Sequence, residues 1–386
     1  MSERGNKIQE KYRNKNEKKK IKVMTIFGTR PEAIKMAPVI KELQKRKQIK
    51  CIVCVTAQHR EMLDQVLEVF KIYPDYDLNI MKTNQSLSEI TAKVLKKIEK
   101  IIKKEKPNIV LVHGDTTTAF ASALAAFYVH TDIGHVESGL RTWNKYEPYP
   151  EEINRQMIDG LTDICFAPTN TSKENLLKEG REKKSIYVTG NTVIDALKTT
   201  LKEKFNHDIL KWIGNDRLVL LTTHRRENIG EPMRNTFQAI RHLVEDIKDI
   251  KVVYPAHLNN KVRDIANEVL NNCDRIKIIE PLNVIDFHNI MNKAYIILTD
   301  SGGIQEEATF LGKPVLVLRN TTERLEEMKV GNIKVIGTEQ EKIYEETKRL
   351  LNNQNEYNNM KKSELYKDIN ASKNIVDIII KKYCSS

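Results

Sequence analysis

The sequence predicts an α/β protein made of two doubly wound domains, each a parallel sheet covered by helices on both faces. Three observations predict it. Short apolar runs alternate with segments of helical period along most of the chain. The runs are continuously apolar, as in strands buried on both faces of a parallel sheet. They fall into two sets, and 386 residues suit two domains better than one.

In the first set, Ile21–Phe27, Cys51–Thr56, Ile109–His113, Ile133–Val136, Ile164–Ala167 and Ile186–Val188 are expected as strands. Glu32–Lys47, Ser88–Lys104 and Thr116–Tyr128 carry apolar residues at helical spacing and are expected as helices between them. In the second set, Leu218–Thr222, Lys251–Tyr254, Ile276–Ile279, Tyr295–Leu298 and Val315–Leu318 are the expected strands. The boundary is expected near Thr189–Thr200, which separates residues 21–190 from 191–364. A last helical pattern, Asn355–Tyr383, can fold back on the first domain with its end, about 365–386; periodicity does not decide this. Residues 1–20 lack apolar periodicity and are expected as a disordered basic tail.

Composition narrows the function. Apolar residues make up 40% of the chain, enough for a substantial core, yet no run reaches the ~18 residues of a membrane span. The N-terminus is charged and has no apolar segment of a signal peptide, so a cytoplasmic enzyme is expected. The tail carries +5 of the formal net charge of +12. A solvated tail, or a start codon placed too far upstream of Met24, explains this better than a polyanion partner does, and neither nucleic-acid binding nor membrane insertion is expected. Of five cysteines, Cys51 and Cys54 form a C-x-x-C inside an apolar run, not at a helix start, and no second pair completes a metal site. All five are read as reduced packing residues, and no metal or cofactor is expected.

The polar residues of interest follow the strands, where an open α/β sheet binds its ligand. After the first strand comes Gly28-Thr29-Arg30-Pro31-Glu32, with Lys35 further along the helix. The basic residues there are either solvated or an anion site beside a helix start. Asp115, after His113-Gly114, is either a helix cap or a functional acid. Glu137 ends a buried strand, a poor place for a structural carboxylate. Glu151 and Glu152 open a helix, where first-turn acids often serve only the dipole. His224, Arg225 and His257 follow strands of the second set. The run Asp300-Ser301-Gly302-Gly303 precedes a helix-like segment, with Glu306 and Glu307 one turn on. Two glycines permit close backbone approach, and the helix start offers N–H groups to a phosphate or diphosphate. One of the two glutamates would then reach a ribose hydroxyl. An ordinary strand-to-helix turn would look the same.

GTRPEAIKMAPVI (28–40), HGDTTTAFA (113–121), HVESGLRT (135–142), PEEINRQMID (150–159), TTHRREN (222–228), LTDSGGIQEEA (298–308) and RNTTER (319–324) together resemble the non-hydrolysing UDP-N-acetylglucosamine 2-epimerases. The likeness runs from about residue 22 to 380. It implies two Rossmann-like domains in the glycosyltransferase-B arrangement, an interdomain active site and a homodimer without metal or nicotinamide. It implies interconversion of UDP-GlcNAc and UDP-ManNAc through loss of UDP to a 2-acetamidoglucal. Arg30, His224, Ser301, Gly302 and Gly303 resemble the diphosphate cradle. Glu307 resembles the ribose ligand, Phe287 with Leu282 the uracil side, and Arg324 a further nucleotide contact. Lys35, Asp115, Glu137 and Glu151, with His224, resemble the catalytic set; Asp115 and Glu137 are assigned proton transfer at C2. Gln58, His59, Arg225 and His257 match a second, allosteric UDP-GlcNAc site, from which Glu61 and Asn84 depart. A hydrolysing epimerase, an epimerase of a modified UDP-sugar and a glycosyltransferase of the same fold are the rival readings.

Overall fold

The computed structural model describes residues 20–57, 60–81, 85–322, 328, 331–361 and 370–384. The first lobe contains strands β1 (Ile21–Phe27), β2 (Ile49–Val55), β3 (Tyr76–Asp77), β4 (Ile109–His113), β5 (Asp132–Val136), β6 (Ile164–Ala167) and β7 (Ile186–Val188). Helices α1 (Arg30–Lys45), α2 (Arg60–Val69), α3 (Leu87–Glu105), α4 (Thr117–Tyr128), α5 (Glu151–Leu161) and α6 (Asn170–Lys178) connect them. Helices α7 (Thr192–Thr200) and α8 (Asp208–Ile213) lead to the second lobe. There β8 (Arg217–Thr222), α9 (Glu231–Asp246), β9 (Ile250–Pro255), α10 (Asn260–Leu270), β10 (Ile276–Ile279) and α11 (Val284–Lys293) are followed by β11 (Ile296–Thr299), α12 (Gly302–Phe310), β12 (Val315–Val317) and β13 (Ile333–Val335). Helices α13 (Gln340–Asn352), α14 (Gln354–Lys361) and α15 (Ala371–Cys384) end the described chain.

The sheets have orders β3-β2-β1-β4-β5-β6-β7 and β10-β9-β8-β11-β12-β13. Every pairing is parallel. This is the doubly wound α/β architecture expected from the continuous apolar runs. Strand alternation explains it. Val23 and Phe27 of β1 face α1 and α15, while Met24 and Ile26 face α3 and α4. In the second lobe Val219 and Leu221 face α9 and α10, and Leu218 and Leu220 face α7, α11 and α12. Helix α3 shows how sequence sets the outer layer. Its Ser86 cap accepts from Glu89 N–H while Glu89 accepts from Ser86 N–H, and Ile90, Val94, Ile98 and Ile102 lie on its buried face.

Strands β3 and β13, of two and three residues, were not expected; neither is long enough to show a periodicity. The pattern 355–383 divides. Tyr357 and Met360 of α14 join the second lobe's core, whereas Ile375, Val376 and Ile379 of α15 join that of the first. Helix α7 packs between the lobes: Ala196 joins the first core and Leu197 the second. Cys51 and Cys54 lie three apart on β2 and so point to opposite faces of the sheet. Burial pushes both thiols up to about 12, which leaves them unreactive packing groups. Among the described residues no helix is long and apolar enough to cross a membrane.

Both sheets send their strands' carboxyl ends toward the cleft between the lobes, and the turns there are tightly built. Gly139, three residues past the end of β5 at Val136, has φ +85°, and a Cβ on it would lie 2.3 Å from the Ser172 carbonyl oxygen. Its N–H donates to Asp159 and its carbonyl accepts from Asn175. Gly139→Ala should therefore lower stability by about 1–3 kcal/mol, through overpacking against rigid backbone. Urea unfolding of the variant beside the parent protein checks this; equal midpoints would contradict it.

Candidate active site

The turn after β1 is held by Glu32. Its carboxylate accepts from the Gly28 and Thr29 N–H groups (3.0 and 2.7 Å) and from the Thr116 hydroxyl (2.7 Å). Burial raises the Glu32 pKa, and these donors oppose the shift. Glu32 is thus committed to the turn, which leaves Arg30 and Lys35 pointing elsewhere. Arg30 crosses to the second lobe, donating to the Leu282 carbonyl at 2.8 Å. Burial lowers its pKa, and the charge of Glu307 counters that. Lys35 is buried and pairs with Glu137 and, at 2.9 Å, with Glu306 of α12.

Glu137 has φ +69°, a left-handed conformation that costs a non-glycine residue free energy. The next strand over-determines it: Glu137 and Ser138 N–H both donate to the Phe166 carbonyl (3.1 and 3.2 Å). The conformation aims its carboxylate at Lys35 and places it 3.6 Å from His113 Nε2. His113 is buried at the end of β4, and among the described residues neither of its ring nitrogens has a hydrogen-bond partner.

The cap of α4 is Thr116, whose hydroxyl accepts from Ala119 N–H, so Asp115 is not the cap. Asp115 instead pairs with Arg155 at 2.8 Å. Glu151, at the start of α5, has its pKa raised by burial and by Asp115, against the pull of Arg225 and Arg155. Its buried Oε2 has no hydrogen-bond partner among the described residues. Glu152 does a different job: it accepts from Thr142 and Trp143 N–H and from Gln156, and so braces the loop before α5. Neighbours on a helix point about 100° apart, which is why two adjacent acids divide in this way.

In the second lobe Asp300 ties the turn after β8 to the turn after β11. Its Oδ2 accepts from the Thr223 hydroxyl (2.8 Å), His224 N–H (2.9 Å), Arg225 N–H (3.0 Å) and Asn228 (3.0 Å). His224 Nδ1 lies 3.5 Å from the other Asp300 oxygen, and its ring stacks on that of His257 with centroids 5.6 Å apart. Ser301 is the N-cap of α12 but makes no side-chain cap, so its hydroxyl does not occupy the first N–H groups of the helix. Beyond its chain neighbours and the backbone of its own helix, no atom of the described residues comes within 4 Å of a Cβ built on Gly303. Glu307 lies 3.5 Å from His288 Nε2. Leu282 and Phe287 are half-buried against the core of this lobe.

Both lobes' expected residues therefore meet across the cleft, linked by Arg30 to Leu282 and Lys35 to Glu306. Glu306 is turned to Lys35, not left to a ribose as one reading of the glutamate pair allowed. His113, Arg155, Asp300 and His288 were not singled out as site residues. The first three stand inside quoted motifs, but nothing in the string marks which polar residue of a motif supports another. Gln58, His59 and Arg324 lie outside the described residues.

A family model described as UDP-N-acetylglucosamine 2-epimerase matches residues 41–380. The UDP-N-acetylglucosamine 2-epimerase of Bacillus subtilis (strain 168) is 56% identical over 366 residues, which cover 95% of this chain and 96% of the relative. The S. aureus MnaA–UDP co-structure superposes with a TM-score of 0.91 at 53% identity, over 95% of this chain and 97% of that one. The UDP-GlcNAc 2-epimerase of Neisseria meningitidis, solved bound to UDP-GlcNAc, gives 0.89 at 49% identity, over 94% and 100%. With two such lobes and this cleft between them, the chain belongs to the UDP-N-acetylglucosamine 2-epimerase family.

Proposed function

We propose that the protein interconverts UDP-GlcNAc and UDP-ManNAc without hydrolysis, by eliminating UDP to a 2-acetamidoglucal and adding it back. The observation that carries this is a division of labour across the cleft. The first lobe presents three carboxyl groups in different environments, Asp115, Glu137 and Glu151, and the second presents an open helix start at Ser301–Gly303. The UDP bound to the S. aureus relative and the UDP-GlcNAc bound to that of N. meningitidis support a nucleotide sugar here.

The C2 proton of the sugar is not next to a carbonyl and is hard to remove directly. When the C1–O bond breaks, its electron pair leaves with the diphosphate and C1 gains cationic character, which acidifies C2–H. The C2–H electrons then form the C1–C2 double bond as a carboxylate takes the proton. Delivery of a proton to the other face of C2, with return of UDP to C1, gives the epimer. The α12 start, Arg30 and His224 stabilise the departing diphosphate. Asp115 and Glu137 serve the two faces of C2. Glu151, whose raised pKa suits it to hold a proton, assists them. Glu307 holds the ribose, and Phe287 with Leu282 holds the uracil. We also assign a homodimer and a regulatory UDP-GlcNAc site that includes Arg225 and His257; Arg225 is close enough to act on the charge of Glu151.

Incubation with UDP-GlcNAc in deuterium oxide tests the reaction by NMR. UDP-ManNAc should appear, with deuterium at C2. Free ManNAc in excess would mean hydrolysis, and unlabelled C2 would rule out the elimination route. Asp115→Asn and Glu137→Gln should each lose about 10²–10⁴-fold in turnover, with UDP affinity kept within a few-fold by calorimetry. Near-normal turnover in either variant removes that residue from proton transfer.

Gly303→Ala separates ligand from fold. Open space around its Cβ predicts an unchanged Tm, whereas crowding of the diphosphate predicts UDP binding weaker by about tenfold or more, ~1.4 kcal/mol. Unchanged UDP affinity would remove the glycine pair from the cradle.

Glu151 predicts a pH dependence of stability. Its folded-state pKa lies above the unfolded value, so its contribution is fully present below the unfolded pKa and lost as pH rises through the folded one. Glu151→Gln abolishes that loss. The Tm of the variant relative to the parent should therefore be higher at pH 8 than at pH 4.5, by differential scanning fluorimetry. A pH-independent difference would contradict the buried, proton-holding role.

A further inference from the structure

Lys35 is shared between carboxylates of different lobes. Glu137 approaches it from the turn after β5, and Glu306 from the first turns of α12, with Glu306 Oε2 at 2.9 Å. All three side chains are buried, Glu306 leaving only 2% of its side chain exposed. Glu306 is three residues past Gly303 at the start of α12, yet it turns toward the first lobe's acids. Glu137 is faced by Lys35 on α1, by His113 at the end of β4 and, across Lys35, by Glu306 on α12; Glu32 lies behind His113.

We propose that Glu306 is a positioning residue for Glu137: from the second lobe it takes part of the Lys35 charge, leaving Glu137 able to accept the C2 proton when the lobes are together. This rests on the assignment of Glu137 to proton transfer. The physical reason is the division of one positive charge between two negative ones. An ammonium held wholly by Glu137 stabilises its ionised form and makes it a poor base. A second carboxylate on the same ammonium weakens that hold and adds a like charge nearby. Both effects increase the basicity of Glu137. Because the second carboxylate comes from the opposite lobe, the adjustment depends on lobe apposition, and an open molecule keeps a quieter base.

The test compares Glu306→Gln, Glu306→Asp and Glu137→Gln with the parent enzyme. In Glu306→Gln, kcat should fall about 10- to 100-fold, while KM for UDP-GlcNAc and UDP affinity stay within about twofold. Removing the Glu306 charge strengthens the hold of Lys35 on Glu137, so the acidic limb of the kcat–pH profile should move to lower pH. Glu306→Asp should recover most of the turnover, and it carries the test if the glutamine variant does not fold. Unchanged kcat in Glu306→Gln, with Glu137→Gln inactive, overturns this inference and leaves the proton-transfer assignment standing. A loss that appears in KM and UDP affinity overturns it in favour of a nucleotide contact. A kcat loss with no shift in the pH limb reduces Glu306 to a structural role and also overturns it. Normal turnover in Glu137→Gln overturns both readings.

Discussion

One buried ammonium organises the cleft. Taking Lys35, Glu137 and Glu306 out of water costs several kcal/mol per ion, and only close pairing offsets it. The geometry that allows the pairing is built from every neighbouring element. Glu32 and Thr116 fix the turn that launches α1, so that Lys35 emerges on the cleft side. The β6 carbonyl of Phe166 holds Glu137 in its left-handed conformation. The turn after β11 delivers α12, and with it Glu306. Strain at Glu137 is thus balanced by a network that spans both sheets.

The same logic runs through the other buried acids. Asp159 is fully buried and has a lowered pKa in spite of desolvation, because His135 and Arg141 surround it. Asp300 satisfies four donors with one oxygen. Glu152 is fully consumed by a loop. These are carboxylates held by several donors or cations, although Asp300 Oδ1, like Glu151 Oε2, has no hydrogen-bond partner among the described residues. Glu151 stands apart because burial and the charge of Asp115 together raise its pKa. That contrast separates acids that hold the scaffold from acids equipped for chemistry.

Much of this was legible in the chain. Strands such as Ile109–His113 and Ile164–Ala167 coincide with their apolar runs, because a strand covered on both faces has no polar side to blur its limits. The carboxyl-end position of the polar motifs then located the cleft. What was not legible depends on long-range placement. Glu306 and Glu307 are adjacent in sequence, and only the packing of α12 against the other lobe turns one toward Lys35 and the other toward His288. Thr116, not Asp115, caps α4, a choice between two good capping residues that backbone geometry makes. Strands β3 and β13 exist because a neighbouring strand offers them hydrogen bonds, not because their own residues demand it.

The return of α15 to the first lobe has a consequence for biosynthesis. Ile375, Val376 and Ile379 are fully buried against the core that contains α1, and Ser372 N–H and Asn374 tie the helix to Asp195 and the Thr189 carbonyl. A chain emerging from the ribosome cannot complete its amino-terminal half when that half has been translated. An apolar face of α1 stays uncovered until residues 371–384 appear, by which time every strand of the second sheet is already available to pair. The half made first is therefore the half finished last, and the nascent chain carries an exposed adhesive surface through most of its synthesis.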